Sequence, residues 1–199
     1  IQRMNKHADA FIAAPATTMA AEGMPRRAWS IADIEAMQEA GIIGEDERFE
    51  LIGGEVVPMQ AKGGRHEWVK LELNHHFQKL VPEHLYIAQE TTLRLDEMSF
   101  LEPDFCVFPR KIFPSDMRGY DVLLAIEVSD SSLAYDLGRK IGIYAAFGIP
   151  EIWVINARTL VTNVFRKLGA EGYADVSEVA PGDEIVSTPA IEDFGLRLR

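Results

Sequence analysis

Three separated pieces of the sequence carry residues able to do chemistry together. They are Pro103-Asp104, Glu127 at the polar end of the run Val122-Leu123-Leu124-Ala125-Ile126, and Lys140, thirteen residues further on. A carboxylate at the end of a buried strand is costly unless it is paired or bound to metal. Two oxygen donors from neighbouring strands, completed by a backbone carbonyl such as that of Val128 and by waters, suit Mg²⁺ or Mn²⁺. Such an ion polarises a phosphate and lowers the pKa of an attacking water, so the pattern points to phosphodiester hydrolysis. A lysine on the following helix supplies positive charge for the pentavalent transition state. Taken singly, each residue has a plainer reading. Asp104 fits a turn, Glu127 a structural ion pair, and Lys140 a surface partner of Asp136 worth under ~1 kcal/mol.

The elements that must position these residues follow from periodicity and punctuation. Ser30 predicts an N-cap with Asp33 at the third helical position, Ile31, Ile34 and Met37 form the helical stripe, and Gly41 ends it. Arg48 to Met59 reads as a β-hairpin turning at Gly53-Gly54. A helix is expected over about 65–80, with Trp68, Leu71, Leu73, Phe77 and Leu80 as its apolar positions and Pro82 as its stop. Strands are expected over 85–95, 103–108 and 121–129. The last is apolar without interruption, which requires burial on both faces and a central place. A helix over about 132–147 ends at Gly148 and Pro150. On it Lys140 lies four residues from both Asp136 and Tyr144, at the edge of the apolar row Leu137, Ile141 and Ala145. Strands over 151–156 and 160–166 follow, and the tail from Tyr173 reads as short strands and loops. This order implies an α/β or α+β fold with a mixed central sheet. Residues 1–27 read as a flexible leader and 28–199 as a single domain.

Composition narrows the function classes. With 47% hydrophobic and 26% charged residues the chain has the make-up of a soluble globular protein, and no apolar run is long enough for a bilayer. The net charge of −11 argues against a generic nucleic-acid binder but leaves room for a nuclease with local basic patches. Cys106 is the only cysteine, so no internal disulfide can form, as suits a cytoplasmic protein. It follows Asp104 by two on the same strand face and reads as a small buried hydrophobe. His75 and His76 are adjacent and cannot chelate one zinc together. Gly63-Gly64 lacks the lysine and hydroxyl of a phosphate-binding loop, so no nucleotide cofactor is expected. His66, at a helix start, serves either as a phosphate contact or as a solvated cap. Lys62, Arg65, Lys70 and Arg139 form either a basic rim or scattered solvated charges.

Taken together, several motifs resemble the Uma-type family of restriction-endonuclease-like proteins, within the PD-(D/E)XK nuclease superfamily. They are Arg48-Phe49-Glu50-Leu51-Ile52-Gly53-Gly54-Glu55, Arg65-His66, Glu102-Pro103-Asp104, Ile126-Glu127-Val128-Ser129, Tyr135-Asp136, Lys140, Tyr144 and Gly148-Ile149-Pro150-Glu151-Ile152-Trp153-Val154-Ile155. Their order and spacing, over roughly residues 28–170, carry the likeness. The resemblance implies a restriction-endonuclease-like fold and Mg²⁺- or Mn²⁺-dependent cleavage of DNA. Asp104 matches the first acid and Glu127 the second, while Ser129 stands where the triplet lysine would be. Lys140 matches a lysine moved to the following helix. Glu50 matches an early acid that assists with a second metal or water, and Arg65, His66 and Tyr144 fall on the substrate side. Asn156 stands where similar sequences often carry Asp. A homodimer is expected by analogy, since cutting both strands of a duplex takes two sites. The competing function is a nuclease-like interaction module without turnover, which the acidic charge and displaced lysine suggest.

Overall fold

The computed structural model describes residues 17–21, 24–44, 46–187, 191 and 194–198, and the expected leader over 1–27 falls largely outside them. Within it, strands β1 (Thr17–Ala21) and β2 (Met24–Arg27) pair antiparallel. The chain divides into two compact units, one of residues 1–59 and 95–101, the other of 60–94 and 102–199.

The smaller unit grows from local signals. Helix α1 (Ile31–Glu39) starts where Ser30 accepts a hydrogen bond from the Asp33 backbone N–H and Asp33 accepts one from the Ser30 N–H. Strands β3 (Phe49–Ile52) and β4 (Glu55–Pro58) form the expected hairpin, and Gly53 and Gly54 take φ of 58° and 82° at its turn. Its core is Ile31, Ile34, Phe49, Leu51 and Phe100, the last from strand β7 (Ser99–Leu101), which pairs with β3.

The larger unit is a six-stranded mixed sheet. Its strands are β5 (Leu85–Gln89), β8 (Phe105–Pro109), β9 (Leu124–Ser129), β10 (Ile152–Asn156), β11 (Thr162–Gly169) and β12 (Gly172–Val179), in spatial order β12-β11-β10-β9-β8-β5. β9 and β10 run parallel and the other neighbours antiparallel. Parallel neighbours need a crossover, supplied here by α3 over 133–146, which comprises a turn at Leu133–Tyr135, a π-helical stretch at Asp136–Lys140 and an α segment at Ile141–Ala146. Every residue of β9 is buried, as its apolar run requires. Leu124, Ile126 and Val128 pack with Val69, Leu73 and Phe77 of α2 (Gly64–Phe77), and Phe77 stacks on Phe194 at 4.8 Å between ring centres. Ala125, Glu127 and Ser129 alternate onto the other face.

Three expectations need correction. The strand expected over 85–95 breaks at Glu90, whose φ is +48°, into β5 and β6 (Leu93–Asp96). On α2 the buried stripe is His66, Val69, Lys70, Leu73 and Phe77, while Trp68 and Leu71 are 52% and 64% exposed. The apolar type of those two residues misled, because they fall off the i, i+3, i+4, i+7 row. The tail is not merely short pieces, since β12 is eight residues long and pairs along β11. Among the described residues no helix is long and apolar enough to cross a membrane.

Candidate active site

The two sequence-predicted acids lie on, or one residue before, adjacent strands. β8 and β9 are antiparallel, with Phe105 opposite Ile126 and Cys106 opposite Ala125. Asp104 comes one residue before Phe105 and Glu127 one after Ile126, and the Val128 N–H next to Glu127 reaches the Asp104 carboxylate. Asp104 is the residue before β8 rather than its first member. Both acids are buried, at 5% and 4% exposure.

Asp104 is fixed through both oxygens. Its Oδ2 accepts the Val128 backbone N–H at 2.8 Å and lies 3.1 Å from His66 Nε2. Its Oδ1 accepts from Lys62 Nζ at 3.0 Å. Burial pushes the Asp104 carboxyl up, but the His66 hydrogen bond and charge, the Lys62 ammonium and the Val128 N–H outweigh it and hold the group at about 2. Val128, expected to offer its carbonyl to a metal, is thus also seen to hold Asp104 through its amide.

Glu127 receives Lys140 Nζ on Oε1 at 2.8 Å and a short hydrogen bond from the Tyr144 hydroxyl on the same oxygen. Lys140 and Tyr144 are 4% and 0% exposed. Lys140 therefore sits within the buried row of α3 rather than at its edge, and the row Leu137, Ile141 and Ala145 is only half-buried. The buried face of this helix is polar: Asp136, Lys140 and Tyr144. Asp136 Oδ2 accepts from Ser129 Oγ at 2.6 Å and from Ser132 Oγ at 2.5 Å. Ser129, at the position of the missing triplet lysine, so anchors the π-helical turn that delivers Lys140. π turns inside helices often sit at functional sites.

Around Asp104 lies a charge network of which sequence reasoning named the lysines, as one reading of a basic rim, but not Glu90. Glu90 Oε1 accepts from Lys62, through a short contact, and from Lys70 Nζ at 2.6 Å. The Glu90 backbone N–H donates to the Asp104 carbonyl at 3.3 Å. Burial raises the Glu90 carboxyl, but the two lysines win and bring it to about 2. Burial lowers the Lys70 ammonium, yet Glu90 and then Glu67 raise it overall. Lys62 and Lys70 are therefore not solvated charges; their side chains are 16% and 10% exposed. Arg65, by contrast, is exposed on the first turn of α2. Glu50 is 3% exposed in β3, opposite Val57, and belongs to the smaller unit; the cluster just described is built wholly from the larger one.

Cys106 is fully buried, and burial, then the Glu127 charge, pushes its thiol up to about 12, so it is inert as read. Asn156 Oδ1 accepts the backbone N–H of Arg158 at 2.9 Å and of Thr159 at 3.2 Å. An aspartate could accept both bonds equally well, which explains why either residue suits this turn.

Among the described residues no three His, Cys, Asp or Glu side chains converge as a metal-binding group. The donor set at Asp104 and Glu127 is two carboxylates. That fits Mg²⁺, which takes one or two carboxylates and keeps several waters, better than zinc or calcium.

The family model Uma2, described as "Putative restriction endonuclease", matches residues 31–199. The crystal structure of a "putative nuclease belonging to DUF820" from Anabaena variabilis superposes with a TM-score of 0.62 at 14% identity, covering 80% of this chain and 92% of that one. At such identity the likeness speaks for the fold, a mixed sheet with few helices of the restriction-endonuclease-like kind. No curated protein matches.

Proposed function

The chain belongs to the Uma2 family, and we propose that it is a Mg²⁺- or Mn²⁺-dependent DNA endonuclease whose reaction centres on Asp104 and Glu127. The observation that carries this reading is a pair of buried carboxylates, Asp104 just before β8 and Glu127 in its neighbour β9, each held by its own cation and linked by the Val128 N–H on Asp104. Buried ion pairs are weak evidence of stability, so two of them at neighbouring strand ends suit a functional site.

Asp104 and Glu127 would hold the ion, with the Val128 carbonyl as a further donor. When bound, the metal polarises the scissile phosphate and acidifies the attacking water. The chain's own residues do the rest. His66 and the Val128 N–H fix Asp104 Oδ2. Tyr144 and Lys140 orient Glu127, and Lys140 offsets charge that builds on the phosphate. Exposed Arg65 offers positive charge to an approaching polyanion on a chain of net charge −11. Two copies would serve the two strands of a duplex.

The test is conversion of supercoiled plasmid to nicked and linear forms in Mg²⁺ by wild type, Asp104→Asn and Glu127→Gln. Wild-type cleavage that falls at least a hundredfold in both variants, with folding retained, supports the proposal. Equal cleavage in wild type and variants overturns it. Folded wild-type protein that binds no metal would favour the silent interaction module, for which the cation already seated on each acid speaks.

A further inference from the structure

Resting on the metal-site reading above, we infer that Lys62 is the resident cation of Asp104: a divalent ion reaches Asp104 only by displacing the Lys62 ammonium from Oδ1, and Glu90 retains the lysine beside the site.

The geometry of the Asp104 carboxylate leads there. Oδ2 already has two donors, the Val128 N–H at 2.8 Å and His66 Nε2 at 3.1 Å. Both come from rigid elements, β9 and α2. Oδ1 is the oxygen left for an incoming ligand, and Lys62 Nζ stands 3.0 Å from it. An ammonium and a divalent ion cannot share that oxygen closely without strong repulsion.

Lys62 is also the one partner of Asp104 built to move. It lies in the irregular stretch before α2, followed by Gly63 and Gly64, and its side chain keeps 16% exposure. It has a second anchor, because Glu90 Oε1 holds both Lys62 and Lys70. Glu90 is placed for this by a left-handed backbone (φ +48°), uncommon for a residue with a side chain, and by its N–H on the Asp104 carbonyl. Backbone strain of this kind persists where the surroundings over-determine it and clusters at functional sites. Let go by Asp104, Lys62 stays tethered to Glu90 next to the ion, where a substrate phosphate oxygen is its natural partner. Lys62 is then a positioning residue: it holds Asp104 Oδ1 in place before metal arrives, and it yields to the metal afterwards.

Calorimetric titration of Mn²⁺ into the full chain, without DNA, tests this on wild type, Lys62→Met, Lys62→Arg and Asp104→Asn. The expected result is binding at least tenfold tighter in Lys62→Met than in wild type, wild-type or weaker binding in Lys62→Arg, and none in Asp104→Asn. Lys62→Gln must show the same gain as Lys62→Met, and takes its place if the methionine variant does not fold. Unchanged or weaker binding in the neutral variants, with wild type binding normally, overturns the displacement and leaves the metal site standing. Absence of Mn²⁺ binding in every protein overturns both. In DNA cleavage the neutral variants should raise KM more than they lower kcat, a split that a merely structural lysine would not produce.

Discussion

Replacing Lys140 with methionine removes the ammonium that sits on the buried Glu127 carboxylate and leaves the Tyr144 hydroxyl bond in place. Both side chains of the pair are 5% exposed and the N–O separation is 2.8 Å, so water cannot take over. Breaking a buried pair from one side costs about 3–5 kcal/mol, whereas losing an exposed pair costs about 0.2–1 kcal/mol. The lower end, about 3 kcal/mol, is expected because the Tyr144 hydroxyl still donates to Glu127. At about 2–4 °C per kcal/mol for a chain of this size, melting should fall by about 6–12 °C. The double variant Lys140→Met/Glu127→Gln removes both charges of the pair and should recover at least half of the loss. Urea unfolding followed by circular dichroism at pH 7 measures all three. A loss below ~1 kcal/mol in Lys140→Met, or a double variant no more stable than the single one, refutes a buried and coupled Lys140–Glu127 pair.

Further outcomes follow from the same geometry. Asp104 stays ionised in the folded chain down to about pH 2, while an unfolded aspartate protonates near ~3.9. Between those values the unfolded state binds more protons, so stability falls as the pH falls through the window, by about 2 kcal/mol; acid titrations of melting temperature should show that much less loss in Asp104→Asn. Cys106, buried with its thiol pushed up to about 12, should resist Ellman's reagent at pH 8 until the chain is unfolded, and fast labelling of the folded protein would contradict its placement. Gly54→Ala should cost clearly more than Gly53→Ala in thermal melts. Both positions have positive φ, worth about 1–2 kcal/mol against a side chain, but only a Cβ at Gly54 meets another atom, Ala28 Cβ at 2.4 Å. Equal losses would mean that the hairpin turn does not press on Ala28.

What the sequence made legible was whatever leaves a local mark. The Ser30 cap, the Gly53-Gly54 turn and the doubly buried β9 each rest on neighbours a few residues apart. Glu127 stood out because it ends an apolar run, and Asp104 because it follows Pro103 just before the strand that pairs with that run. The Lys62–Glu90–Lys70 network left no such mark. Its contacts to Glu90 span 28 and 20 residues and that to Asp104 spans 42, so only the closed sheet brings them together. Glu90 was hidden further by reading 85–95 as one strand. A glutamate between Gln89 and Thr91 gives no warning of a left-handed backbone, since glycine or asparagine is the usual sign. Lys70 was masked by type: lysine is seldom buried, and the apolar Trp68 and Leu71 drew the helix face toward themselves. Lys140 was weighed as a surface pair for the same reason, although the polar row that carries it is the buried one.

The most direct measurement is Mn²⁺ binding by calorimetry to wild type, Asp104→Asn and Glu127→Gln, because it needs no knowledge of the DNA cleaved. One saturable site in wild type, abolished in Asp104→Asn and weakened at least tenfold in Glu127→Gln, is the expected result. A wild type that is folded and binds no Mn²⁺, or binding that survives unchanged in both variants, would contradict a metal site at the paired ends of β8 and β9.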